Sequence, residues 1–435
     1  MNSLSVFPRR GFMKYLLAGP VLTAAAWDKL TAEVDQAVTA LNQKYIEDDS
    51  PDGVYWEELR KHYAFESRFI MMNNGTIGPM PKPVFHVLMK TFQTQVSNPF
   101  DVYNYLPSFS AAVRRKLAAF VHADPDEVAL VSNTTEGINL IVNGLDMKEG
   151  DEVLVTSLEH PGHINPWRLK EKRAGIKIVQ VPMPLFPKSV DEIIGPFAKA
   201  ITPRTRMISI SHTVYVTGLI MPLKELSALA HEKGLLILAD SAHGIGMLDL
   251  DLKKAGIDFF MSSPYKWLGA PTGIGLLYVR KEALDKVWPT IVSSGWDTNK
   301  TAGKLDPQGQ RADAFLFALD EALNFNNRIG RTRIEKRIKV LSGYLKKELQ
   351  KIPGVKIHTP MDPYLSAGLN AFSCEGVDPA RLVDYLREKH NLVIRATGNR
   401  EAGTYGVRVS TPIYTSFKEA DLVVEAVRYL ASRKA

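Results

Sequence analysis

Between Glu127 and Val279 short apolar runs alternate with segments of helical spacing. Val153-Leu154-Val155-Thr156 precedes the helical stretch 166–173, the run 176–181 precedes 190–200, and 207–211 precedes 223–233. The series culminates in Leu235-Leu236-Ile237-Leu238-Ala239-Asp240. Continuous apolar runs, without a polar residue at every second place, fit strands covered on both faces. A helix between successive runs returns the chain for a parallel neighbour. The expected fold class is therefore α/β, with a mostly parallel sheet covered by helices. No internal repeat or low-complexity segment is visible. No Gly-x-Gly-x-x-Gly opens a helix after a strand, which argues against a nicotinamide-binding Rossmann domain.

Asp240 closes the strongest of these runs. A carboxylate at the carboxyl end of a strand points into the crevice where open α/β sheets bind ligands. Downstream, Ser262-Ser263-Pro264-Tyr265-Lys266-Trp267-Leu268-Gly269-Ala270 lies between Asp258-Phe259-Phe260-Met261 and Leu276-Leu277-Tyr278-Val279, two further strand-like runs. An ammonium is seldom buried unpaired. A lysine held in such a segment is a candidate Schiff-base former, because desolvation frees its amine as a nucleophile. The alternative is a surface lysine in an ordinary loop. A strand-end Asp with a loop Lys is the minimal pair for pyridoxal phosphate (PLP): the carboxylate keeps the pyridine nitrogen protonated, and the ring becomes an electron sink.

These segments carry a resemblance. Asp240-Ser241-Ala242-His243 and Ser263-Pro264-Tyr265-Lys266-Trp267-Leu268-Gly269 are similar to the class V aminotransferase family of fold-type I PLP enzymes, in its isopenicillin N epimerase-like and cysteine desulfurase-like branch. The likeness runs from about Met72 to the C-terminus, with motifs in the family's order. It implies a large PLP-binding domain (81–300) and a smaller α+β domain (301–435), after a helical N-terminal segment with an active-site loop (27–80). It also implies a homodimer, in which the loop Ser293-Ser294-Gly295-Trp296-Asp297 reaches the neighbouring site.

Residue by residue, the resemblance implies that Lys266 holds PLP as a Schiff base and then takes the Cα proton, and that Asp240 pairs with the ring nitrogen. In Glu159-His160-Pro161-Gly162-His163, followed by Pro166-Trp167, it places His160 on the ring face. Two histidines three apart are also a metal-ligand spacing, but no third ligand of the usual kind lies nearby. Ser132-Asn133-Thr134-Thr135-Glu136-Gly137 precedes a helix expected at 138–145, and threonine hydroxyls with free helix N–H groups attract phosphate. Plain capping of the helix is the alternative for the threonines; the resemblance gives Thr134, Thr135 and, by position, Ser263 the phosphate role. Tyr215 replaces the Asn of desulfurases, and its phenol can hydrogen-bond the ring's O3′. His243 stands where desulfurases have Gln, and Tyr265 where most relatives have His beside the lysine. Both are assigned to the cofactor. Asn74, in Asn73-Asn74-Gly75-Thr76-Ile77-Gly78-Pro79, and Arg408, in Tyr405-Gly406-Val407-Arg408-Val409-Ser410, are assigned to the substrate. An arginine on a strand can grip a carboxylate with two parallel hydrogen bonds; the alternative is a structural ion pair.

The remaining composition narrows the chemistry. In 435 residues with net charge +7 there is no basic block, so nucleic-acid binding is not expected. The one cysteine, Cys374, sits in the apolar run Ala371-Phe372-Ser373-Cys374 and reads as a core residue. A desulfurase needs a nucleophilic cysteine on a mobile loop, so that branch is disfavoured. Epimerisation or transamination at Cα of an amino acid or similar amine is the leading expectation. C–S or β-elimination, the tailoring of a siderophore precursor, and a PLP-fold binding module without turnover are the alternatives. At the N-terminus, Arg9-Arg10-Gly11-Phe12-Met13-Lys14 precedes an apolar stretch at 15–26 that ends in small residues. This resembles a Tat signal over 1–26, implying export of the folded enzyme to the periplasm. The stretch is shorter than a spanning helix needs, so no stable membrane anchor is expected.

Overall fold

The computed structural model describes residues 36, 38–43, 53–63, 68–306, 309–398, 400 and 403–433. The Tat-like segment 1–26 lies outside the described residues, as does most of the stretch from 27 to 52. Helix α1 (Val54–Arg60) leads to β1 (Ile70–Met71) and then to two long helices, α2 (Lys82–Ser97) and α3 (Pro99–Phe120). The main sheet follows: β2 (Val128–Val131), α4 (Thr134–Gly144), β3 (Glu152–Val155), α5 (Pro161–Ala174), β4 (Lys177–Gln180), α6 (Asp191–Ala200), β5 (Thr205–Ser211), α7 (Leu223–Glu232), β6 (Leu236–Asp240), α8 (Leu252–Ala255), β7 (Phe259–Ser262) and β8 (Gly275–Val279). The chain ends through α9 (Ala314–Ile329), α10 (Arg331–Gln350), β9 (Val355–Ile357), β10 (Leu369–Cys374), α11 (Pro379–His390), β11 (Leu392–Val393), β12 (Arg395–Thr397), β13 (Gly406–Ser410) and α12 (Phe417–Ser432).

The seven-stranded sheet has the order β2-β8-β7-β6-β5-β3-β4. From β4 to β7 every pairing is parallel, whereas β8 runs antiparallel to both of its neighbours. The reason is local: β7 and β8 are joined by residues 263–274 without a crossover helix, so the return strand must reverse. The Lys266 segment is this reversal. It sits at the carboxyl ends of β6 and β7.

Both faces of the sheet are covered. Phe259, Met261 and Leu277 pack to one side with Trp167 and Ile138, while Phe260, Leu276 and Ile237 pack to the other with Leu117 and Leu319. Successive residues of a strand go to opposite faces, so a doubly covered strand must be apolar at every place. Each such side chain contributes roughly 1.5–3 kcal/mol on burial.

A four-stranded antiparallel sheet of order β12-β13-β10-β9 forms the second unit, and Cys374 lies in its apolar core. β1 pairs in parallel with β11, and the Ser410 amide donates to the Met72 carbonyl at 2.8 Å. The segment after Met72 is thereby launched from the second unit towards the main sheet. Among the described residues no helix is long and apolar enough to cross a membrane.

Candidate active site

The main sheet reverses its strand order between β3 and β5, and ligands of open α/β folds bind outside the carboxyl ends at such a point. A cavity of about 600 Å³ opens there. His160 follows β3, Tyr215 follows β5, Asp240 ends β6, and Ser263, Tyr265 and Lys266 follow β7; all six line the cavity. Thr134 and Thr135 enter from α4, His243 from the turn after β6, and Arg408 from β13.

One end is built for an anion. Helix α4 starts at Thr134 rather than Ile138, because Asn133 is its N-cap and accepts from the Glu136 amide at 3.0 Å. The cap is therefore Asn133, which frees both threonine hydroxyls from that task. Thr134 Oγ1 lies 2.7 Å from Ser263 Oγ, which also accepts from the Thr134 amide at 3.2 Å. Hydroxyls and first-turn N–H groups at the positive end of a helix form a phosphate cradle.

Lys266 stands in the middle of the cavity wall. Burial pushes its amine down to about 8; Asp240 opposes the shift, while Arg408 and Arg395 add to it. About a tenth of the amine is thus uncharged and nucleophilic at pH 7. Burial raises the Asp240 carboxyl, against the influence of His163, Lys266 and the Ala242 amide, which donates to Oδ1 at 3.1 Å.

His243 is almost fully buried and receives the Trp267 indole N–H on Nδ1 at 3.3 Å. An indole nitrogen only donates, so the imidazole proton of His243 is on Nε2. Burial holds this ring well below its ordinary range, and it stays neutral. His160 caps α5 by accepting from the Gly162 amide on Nδ1 at 3.0 Å, and its ring meets Tyr215 edge-on at 5.0 Å. Burial lowers its imidazole, and Lys266, Arg395 and Arg408 lower it further.

The far end is cationic. Arg408 is 2 % exposed. It donates to the Tyr215 carbonyl at 3.0 Å, to Thr76 Oγ1 at 3.1 Å and to Asn73 Oδ1 at 3.3 Å. Its Nε is buried without a partner. Burial, then the neighbouring Arg395, bring its guanidinium down to about 10. Gly75 lies against it: a Cβ there would come within 2.6 Å of Arg408 Cζ.

Asn74 does not line the cavity. Its Nδ2 donates to the Lys266 carbonyl at 2.9 Å, and its Oδ1 accepts from the Tyr414 hydroxyl at 2.5 Å. The amide thereby ties the lysine loop to Tyr414. Tyr215 and Tyr265 do line the cavity, and their backbone carbonyls carry framework bonds, from Arg408 and from the Gly78 amide.

Sequence reasoning left four groups unassigned. Arg395 lines the cavity and pairs across the strands with Arg408. Thr213 lines it with a buried, unpartnered Oγ1. Glu159 and His163 lie beneath Asp240. For these last two the signal was their place in the same loop as His160. For Arg395 it was a charged residue ending an apolar run.

These residues fit PLP. The hydroxyl cradle suits its phosphate, Asp240 its ring nitrogen, His160 its ring face and Lys266 its aldehyde. Arg408 Nε and Thr213 Oγ1 are buried polar atoms in the wall that still have a bond to make. Among the described residues, no group of three or more His, Cys, Asp or Glu is placed to hold a metal ion.

Comparison with known proteins agrees. The chain is 29% identical over 389 residues to the isopenicillin N epimerase of Streptomyces clavuligerus, covering 86% of this chain and 97% of that protein. It is 25% identical over 402 residues to a probable cysteine desulfurase of Methanothermobacter thermautotrophicus, covering 86% and 98%. Among solved structures, the Escherichia coli cysteine desulfurase CsdA superposes with a TM-score of 0.76 at 25% identity, over 87% of this chain and 98% of that one. The cystine C-S lyase C-DES, in complex with its product cysteine persulfide, gives 0.75 at 24%, over 83% and 97%. The same lyase is known with glycine covalently linked to its PLP cofactor. These likenesses make the fold that of fold-type I PLP enzymes. The class V aminotransferase model matches residues 74–423, and the chain is an enzyme of the class V aminotransferase family.

Proposed function

We propose that this chain is a PLP-dependent enzyme acting at Cα of an amino acid or closely related amine, by epimerisation or transamination. One observation carries the reading: a single cavity holds a desolvated lysine amine, a buried carboxylate and a buried arginine with an unused N–H. Bound there, PLP supplies an electron sink for charge developing at Cα. Thr134, Thr135 and Ser263 hold its phosphate, and His160 covers its ring. His243 presents a fixed Nε2–H to the cavity. Arg408 takes the substrate carboxylate, using Nε and one terminal nitrogen. Lys266 Nζ attaches the cofactor and, once released, accepts the Cα proton.

The test is the visible spectrum of the purified protein beside Lys266→Ala. A cofactor band in the wild type that borohydride abolishes, absent from the variant, supports the reading. A colourless wild type that stays colourless with added PLP overturns it. A panel of amino acids screened for Cα deuterium exchange then finds the substrate, and inversion of configuration against formation of a keto acid separates epimerisation from transamination.

A second reading, C–S or β-elimination, shares the proton abstraction. Cys374 is buried in β10, away from the cavity, and elimination needs no protein thiol. Release of pyruvate and ammonia, with sulfide from cysteine or cysteine persulfide from cystine, would select it. A siderophore precursor bearing a free α-amino acid remains within the first reading. The Arg9-Arg10 segment supports Tat export to the periplasm, tested by fractionating Arg9→Lys/Arg10→Lys; equal export would sink it. Exposed Trp288, Val292 and Trp296 support a homodimer, tested by light scattering.

A further inference from the structure

Beneath the cavity floor lies a buried cluster formed by Glu159, His163, Ser209 and Asp240. His163 is fully buried on the first turn of α5. Its Nε2 is 2.8 Å from Ser209 Oγ, which also receives the Trp167 indole N–H at 2.8 Å. Among the described residues the Ser209 hydroxyl proton has no acceptor but His163 Nε2, which places the imidazole proton on Nδ1. Nδ1 faces two carboxylates, with Glu159 Oε2 at 3.3 Å and Asp240 Oδ2 at 3.7 Å, and makes a hydrogen bond to neither.

The two carboxylates are not equivalent. Glu159 is saturated: Oε1 accepts from the Thr156 amide at 3.2 Å and its hydroxyl at 2.7 Å, and Oε2 from the Ser211 amide at 2.7 Å and its hydroxyl at 2.6 Å. Asp240 accepts one bond on Oδ1, and among the described residues no hydrogen bond reaches its Oδ2, which His163 Nδ1 faces at 3.7 Å. A buried N–H without a partner and a carboxylate oxygen of the cavity wall 3.7 Å away are matched donor and acceptor. Burial pushes the imidazole down to about 4, against the pull of Asp240, so the ring stays neutral at working pH and offers one proton, not two.

We propose that His163 is the positioning residue of Asp240: its Nδ1–H, fixed by Ser209, is presented to Asp240 Oδ2 and keeps that carboxylate charged and aimed at the cofactor's ring nitrogen. Glu159 acts as a fixed wall that confines the imidazole to this direction. The proposal rests on the PLP reading of the cavity.

Two measurements test it. In protein carrying 15N-labelled histidine, before and after PLP addition, His163 should appear as the Nδ1–H tautomer. PLP dissociation constants, and the pH midpoint of the visible band, are then compared across variants. His163→Leu leaves Asp240 Oδ2 without a donor; PLP should bind about tenfold or more weakly. The midpoint should move to higher pH, because a less charged Asp240 no longer holds a proton on the ring nitrogen to repel the one at the lysine linkage. His163→Asn offers an amide N–H and should restore both values to near wild type.

An Nε2–H tautomer overturns the proposal, and so does His163→Leu with wild-type affinity and midpoint. Should that variant not fold, Ser209→Ala is read the same way. A mixture of tautomers with a shifted midpoint supports the proposal; wild-type values in both overturn it. A wild type that takes up no PLP counts against the function, while the tautomer still decides the role of His163.

Discussion

The two ends of the cavity are made in different ways. The end with Asp240, Ser263, Lys266 and Thr134 is built from consecutive strand ends of one sheet and the helix that follows β2. The Arg408 end is assembled from pieces that sheet pairing does not align: residues 73–76 from the loop after β1, the Tyr215 carbonyl from the loop after β5, and Arg395 and Arg408 from the second unit. The first end should govern cofactor loading and the second substrate capture, each with little effect on the other.

The strongest break should come from Lys266→Ala. Turnover should fall roughly 10³-fold or more, because nucleophile and base are one group, and the visible band should vanish. Arg408→Ala should raise KM for carboxylate substrates by about 10²-fold, as expected for losing a two-pronged charged contact, with PLP loading unchanged. If loading collapses in Arg408→Ala, the two ends are not separable. Gly75→Ala sharpens the same boundary: its Cβ would displace the guanidinium, and mispositioning should raise KM by about tenfold. Ser263→Ala should act in the opposite sense, weakening PLP by about tenfold through one lost hydrogen bond in the cradle and leaving the KM of loaded enzyme unaltered.

The last effect concerns stability, not turnover or loading. His163 and His212 are buried and held down to about 4, below the usual imidazole value of 6.5. Between these values the unfolded chain binds more protons than the folded one, so stability rises with pH and is lost on acidification from 6.5 towards 4. The loss should be on the order of a few kcal/mol for each ring. A thermal midpoint that stays flat across this window would show that these rings are protonated in the fold.

The same division explains what could be read in the sequence. Asp240 announces itself because a doubly covered strand is apolar at every place and its polar end stands out, and Lys266 because it is the first charged residue after such a run. The reversal at β8 is implied by the short link between two apolar runs, though the alternation alone suggested a parallel neighbour. Asn74 was placed on the substrate; its amide turned out to serve Lys266 and Tyr414, because the Asn-Asn-Gly turn shows that the chain bends there but not towards what. The capping of α4 by Asn133 was missed, since Asn, Thr134 and Thr135 are all good caps and only backbone geometry chooses among them. Arg395 and Arg408 meet Thr76 across more than three hundred residues, a juxtaposition that no local pattern encodes.

The hydrogen bond from Trp267 to His243 gives the enzyme an optical gauge. The indole is 7 % exposed, adjoins the attachment lysine, and contacts a ring that lines the cavity. Its emission should therefore dim by energy transfer when a chromophore with a visible band enters, and shift when the His243 ring is drawn towards a ligand. Subtracting the emission of a Trp267→Phe variant isolates this signal from the other tryptophans. Filling of the cavity could then be followed in real time without any added label.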